Sequence, residues 1–122
     1  MTTASIPADP AAQRLAAVRD AMRRAARLTD RSADDIRLIA VSKTHDADAI
    51  RPLIAAGQRV FGENRVQESQ QKWPALREEQ GDIALHLVGQ LQSNKAAEAV
   101  ALFDVIHGLD RPSLLTALAR AM

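Results

Sequence analysis

Four short apolar runs, each followed by a polar turn and then a helix-like stretch, constrain this chain more than any other feature. The runs are 36–41 (Ile36 to Val41), 59–62 (Arg59-Val60-Phe61-Gly62), 83–88 (Ile83 to Val88) and 103–107 (Phe103 to His107). After them come stretches with helical signals at 46–56, 64–76, 93–101 and 112–121. A helix also precedes the first run, with Asp9 as N-cap and Pro10 at its first position. Its apolar stripe is Leu15, Val18, Met22, Ala25 and Leu28. Strand–helix alternation with short connections predicts an α/β fold, an N-terminal helix plus about four βα units on a parallel sheet. The first run is expected to be buried on both faces, as parallel strands are.

The helix ends carry ordinary signals. Gly57 stops the helix at 46–56, and Ser93 or Asn94 caps the one at 93–101. Asp110 is the expected N-cap of the last helix. Two prolines sit awkwardly. With Asp48 as N-cap, Pro52 falls just past the first turn and one hydrogen bond is lost, and Pro74 is expected to kink or shorten the helix starting at Asn64. The 122 residues suffice for one compact domain, expected over 9–122 behind a disordered tail at 1–8.

Composition removes several classes of function. A formal net charge of +1 gives no bulk attraction for nucleic acid or membrane. The arginines of the first helix (Arg14, Arg19, Arg23, Arg24, Arg27, Arg31) read as a solvated face, with no aromatic residue among them to stack a base. No apolar run spans a bilayer. The absence of cysteine excludes thiolate chemistry and suits a reducing cytoplasm, the expected location. His45, His86 and His107 lie far apart and give no metal motif. Nucleotide fingerprints and a G-x-S-x-G elbow are also missing.

The polar residues gather where the strands end: Ser42-Lys43-Thr44, Gly62-Glu63-Asn64, the segment 89–95, and His107 to Asp110. Parallel strands bring all their C-terminal ends to one rim, where α/β folds bind ligands. Lys43 ends the first apolar run there, and His86 lies inside the third. An amine at an apolar rim is expected to lose hydration, so that its pKa falls and it attacks an aldehyde such as that of pyridoxal phosphate. Burial beside Val41 and Phe61 is expected to do this for Lys43, while Lys72 and Lys95 are expected at the surface.

Three segments, LIAVSKTHDADAI, AAGQRVFGENRVQE and HLVGQLQSNK, resemble in that order the pyridoxal-phosphate homeostasis proteins, an alanine-racemase-like, barrel-only family also known as proline synthase co-transcribed proteins. The similarity runs from about Leu38 to Arg120. The resemblance implies a TIM barrel of the fold-type III class that binds pyridoxal 5′-phosphate, with the lysine of its AVSKT motif, here Lys43, forming an aldimine with the cofactor. It places Asn64, of Phe61-Gly62-Glu63-Asn64, near the cofactor ring. It also aligns His86, Gly89, Leu91, Gln92, Asn94 and Lys95 with the family's third motif. The implied role is non-catalytic, the homeostasis and delivery of the cofactor. Two alternatives stand beside it: a fold-type III enzyme such as an amino-acid racemase, or a truncated half-barrel with no working site. A family barrel has about eight βα units, so this chain is expected to be the N-terminal half. It would then need a second copy or the C-terminal half, which carries the phosphate cup, to complete it.

Overall fold

A computed structural model describes residues 10–122; the expected tail at 1–8 and the Asp9 cap lie outside them. Among the described residues the order is α1 (Pro10–Leu28), β1 (Ala40–Val41), α2 (Ala47–Ala55), β2 (Val60–Glu63), α3 (Val66–Gln80), β3 (Ala84–Leu87), α4 (Ala96–Leu102), β4 (Val105–Ile106) and α5 (Pro112–Ala121). Short 3₁₀ turns at Ala33–Asp35 and Ser93–Lys95 precede β1 and α4. The strands form one parallel sheet in the order β1-β2-β3-β4. Alternation along a strand sends successive side chains to opposite faces. Phe61, Leu85, Leu87 and Ile106 therefore share one face with Ala40, and the helices pack there. Ile50 and Ile54 of α2, Trp73 and Leu76 of α3, Ala99 of α4 and Leu114 of α5 complete that core. Val41, Gly62, His86 and Val105 share the other face.

Strand β1 is much shorter than the apolar run that predicts it. The Gln58 amide explains the loss: its Nε2 donates to the carbonyls of Leu38 and Val60, both at 2.8 Å, bridging the two chains where a ladder would run. Arg19 donates to Gln58 Oε1 at 2.9 Å and fixes that amide. The expected burial on both faces is also not found. Val41 is 52% exposed, because β1 is an edge strand with nothing over its second face among the described residues.

The helix limits move for local reasons. Asp46, not Asp48, caps α2 by accepting from Ala49 N at 3.0 Å, so Pro52 lies well inside the helix. Helix α3 starts at Val66 and runs through Pro74 to Gln80, ending at Gly81 with φ +83°. Pro74 and Gln70 are both exposed, so the carbonyl that Pro74 leaves unbonded meets water. Neither Ser93 nor Asn94 caps α4 through its side chain. Arg111 occupies the α5 cap position, and Asp110 pairs with it at 2.7 Å. On α1 the buried residues are Leu15 and Ala26, whereas Val18 and Leu28 are exposed, because only a narrow side of this helix is covered.

Candidate functional site

Lys43 and Asn64 follow the C-terminal ends of β1 and β2, and His86 lies in β3 opposite Gly62. All three fall at the end of the sheet where α/β proteins take ligands. Lys43 is exposed, and its amine has no hydrogen-bond or ion-pair partner among the described residues. The burial expected for it beside Val41 and Phe61 is therefore not found. Val41 lies on the open face, and Phe61 points to the helices, its ring centroid 5.1 Å from that of Trp73 at a tilt of 48°.

Asn64 is half-buried, and its side-chain amide is likewise unpartnered among the described residues. Its backbone is pressed by the turn after β3. A Cβ built on Gly89 would stand 2.6 Å from Asn64 Cβ, so only glycine fits there. At Gly62 a Cβ would meet Ile39 Cγ2 at 3.0 Å, which keeps the floor of the rim flat.

His86 is only 4% exposed. Its Nδ1 lies 3.0 Å from Nε2 of His107 at the end of β4, and the rings stack at 5.2 Å. One proton shared between those nitrogens satisfies both. His86 Nε2 is buried with no partner. Burial lowers the His86 pKa below its usual value, and the nearby His107 and Arg37 lower it further against an opposing pull from Asp104.

The turn that carries Lys43 is held from the helix side. His45 N donates to Ser42 O at 3.2 Å, and Thr44 adopts φ +65°. Lys72 of α3 donates to Ser42 O at 2.8 Å and to His45 O at 2.7 Å. The same ammonium lies 2.9 Å from Glu63 Oε2 and 3.2 Å from Glu68 Oε2. Glu63 is fully buried, and its Oε2 also accepts from Ser42 Oγ and, at 2.9 Å, from Trp73 Nε1. Glu68 accepts from Thr44 N at 2.7 Å. Burial raises the Glu68 pKa, but the Thr44 N–H, Lys72 and the charge of Arg65 together outweigh it, and the net direction is down.

Lys72 is thus not the surface lysine that the sequence suggests; it is 9% exposed. A signal for it exists. Val66, Ser69, Lys72, Trp73 and Leu76 follow a helical period on one buried face, and Glu63 shares the inward side of β2 with Phe61. Opposite charges on two facing buried surfaces must pair. Among the described residues no cluster of histidine and acidic groups is fit to hold a metal, and no helix is long and apolar enough to cross a membrane.

A free amine, a free amide and an unpartnered buried imidazole nitrogen thus lie toward the C-terminal end of a parallel sheet, the end at which α/β domains take ligands. No family model matches the chain. It is 46% identical over 109 residues to the pyridoxal phosphate homeostasis protein of Escherichia coli K12, covering 88% of this chain and 46% of that protein. The namesake from Aquifex aeolicus is 36% identical over 104 residues, covering 85% of this chain and 45% of that one. Among solved structures, PipY of Synechococcus elongatus PCC7942 with PLP bound superposes with a TM-score of 0.69 at 49% identity, over 82% of this chain and 47% of that one. An unknown protein from Bifidobacterium adolescentis gives 0.82 at 31% identity, over 94% of this chain and 52% of that chain. The chain is thus similar to proteins named pyridoxal phosphate homeostasis protein, and it spans about half the length of the curated relatives it matches.

Proposed function

We propose that this chain binds pyridoxal 5′-phosphate at the strand-end rim, with Lys43 bonding the cofactor's aldehyde carbon, and that it holds and delivers the cofactor without turning over a substrate. The observation that carries this reading is the free Lys43 amine on a turn tied down on every other side. When bound, the cofactor supplies an electrophilic aldehyde that a neutral amine attacks with loss of water. Asn64 offers an amide to the ring's phenolic oxygen, and the unpartnered His86 Nε2 offers a contact at the ring or through a water. The names of the relatives and the PLP-bound PipY support the same ligand.

The sheet is, in this reading, the first half of a closed βα barrel. Three features support that architecture: an open edge at β1, a second face exposed at Val41 and Val105, and relatives about twice as long. The edge adjoins an apolar hollow of about 620 Å³ between α1 and α2, lined by Leu15, Leu38, Val41 and Leu53 among others. A second copy, or the remaining half of such a barrel, would cover these surfaces and supply the phosphate contacts. A racemase would need a second base on the far side of its substrate. The chain contains no tyrosine to serve as one.

The test is a titration with pyridoxal phosphate followed in the visible range. The chain gives a saturable band of lysine-bound cofactor, Lys43→Ala gives none, and common amino acids are not racemised. A band of equal size in Lys43→Ala refutes the assignment.

A further inference from the structure

The buried ion pair beneath the Lys43 turn is the least expected feature of the molecule. A carboxylate and an ammonium sealed from water forfeit hydration, and such a pair is weak support for stability compared with apolar packing. Its place in the fold suggests a geometric task instead. Lys72 has three N–H protons and four acceptors within reach, and two of these are the first and last carbonyls of the turn 42–45. Glu63 holds Ser42 through its hydroxyl, and Glu68 holds Thr44 through its N–H. So Ser42, Thr44 and His45 are each bonded to the network, and Lys43 is the one residue of the turn that is not.

The backbone shows the constraint. Thr44 at φ +65° is β-branched in the left-handed region, a conformation such residues avoid. Strain of this kind persists where the surroundings over-determine it, and it gathers at ligand sites. Here the surroundings are Lys72 and Glu68, one turn apart on α3. Both reach β1 across the end of β2, so a single helix face sets the turn.

We propose that Lys72, with Glu63 and Glu68, is a positioning residue: it locks the turn 42–45 so that the Lys43 amine stands at the rim, and thereby sets the preference of pyridoxal phosphate for Lys43 over other lysines. The inference rests on the reading above that Lys43 bonds the cofactor. Lys72 does not itself react, since its ammonium is spent on carbonyls and carboxylates.

The test compares the chain with Glu63→Gln/Lys72→Met, which removes both charges together and leaves no buried ion unpaired. Two readouts are taken: hydrogen exchange at the amides of residues 43–46 without cofactor, and the share of borohydride-reduced pyridoxal phosphate found on Lys43 relative to Lys95. The expected result is melting close to that of the unsubstituted chain, exchange in the turn faster by about tenfold or more, and a Lys43 share lower by about threefold or more. Unchanged exchange, or faster exchange with an unchanged Lys43 share, overturns the proposal, the second showing that the network serves stability only. No preference for Lys43 in the unsubstituted chain refutes the binding reading itself, and this inference with it. Should the double variant not fold, Glu68→Ala spares the buried pair and cuts the Thr44 tether. The same criteria then apply, with effects of about twofold to threefold.

Discussion

On the helix side of β2, Glu63 is sealed from solvent and one of its oxygens collects a hydroxyl, an indole and an ammonium. On the other side of the same strand, Gly62 lies beside Val41 and Val88, which are 52% and 38% exposed, and across the sheet Val105 is 39% exposed. The helix side is packed within this chain, and Glu63 and Lys72 pair there, although Glu63 Oε1 has no hydrogen-bond partner among the described residues. The opposite side keeps apolar surface in water and an orphaned nitrogen at His86. The groups that hold the Lys43 turn thus all lie on the helix side of the sheet.

The sharpest contrast is expected from substitutions on the two sides. Lys72→Met alone strands the Glu63 carboxylate in the interior and should cost roughly 3–5 kcal/mol in urea unfolding. The Glu63→Gln/Lys72→Met pair should recover most of that loss; an equally unstable double variant would mean that packing, not charge, is at fault. Next in size is Gly89→Ala. Its Cβ would press on Asn64 Cβ at 2.6 Å and on Asn64 O at 3.0 Å, so a cost of about 1–3 kcal/mol and weaker cofactor binding are expected.

On the open side, Val41→Thr and Val105→Thr should each change stability by less than about 0.5 kcal/mol, as exposed positions do. Their effect should appear in assembly. The chain is expected to self-associate in sedimentation at micromolar concentration, and the double threonine variant to do so less. A monodisperse monomer would break the comparison, since the open face would then need no cover.

The smallest effect is in pH. His86 has a folded pKa below its unfolded value of 6.5, lowered by burial first and by His107 and Arg37 after it. The unfolded chain therefore binds the proton more readily. The contribution of His86 is whole above the unfolded pKa and is lost as the pH falls from there toward the folded value. His86→Gln should flatten the urea midpoint between about pH 5 and pH 7. An unchanged slope would place the titration elsewhere.

Much of the frame is legible in the sequence. Alternating apolar runs and helical stretches give the parallel sheet, and parallel strands gather Lys43, Asn64 and His86 at one end because their C-termini must coincide. The length of β1 is not legible: the Gln58 amide takes over its ladder, a side-chain substitution for backbone pairing that no propensity encodes. Lys72 misleads for a statistical reason, since lysine is almost never buried unless paired, and its partner Glu63 is on another element. Lys43 misleads in the opposite sense. An apolar run predicts a buried strand end, but burial needs a second layer, which the described residues do not provide.

The proposed function turns on Lys43 as the lysine that bonds the cofactor. The most direct measurement is to add pyridoxal phosphate, reduce with borohydride and locate the adduct by peptide mass spectrometry. Lys43 should be modified first and most, Lys95 little, and the buried Lys72 not at all. Even modification of Lys43, Lys72 and Lys95 would contradict it, because no formed site would then distinguish one amine from another.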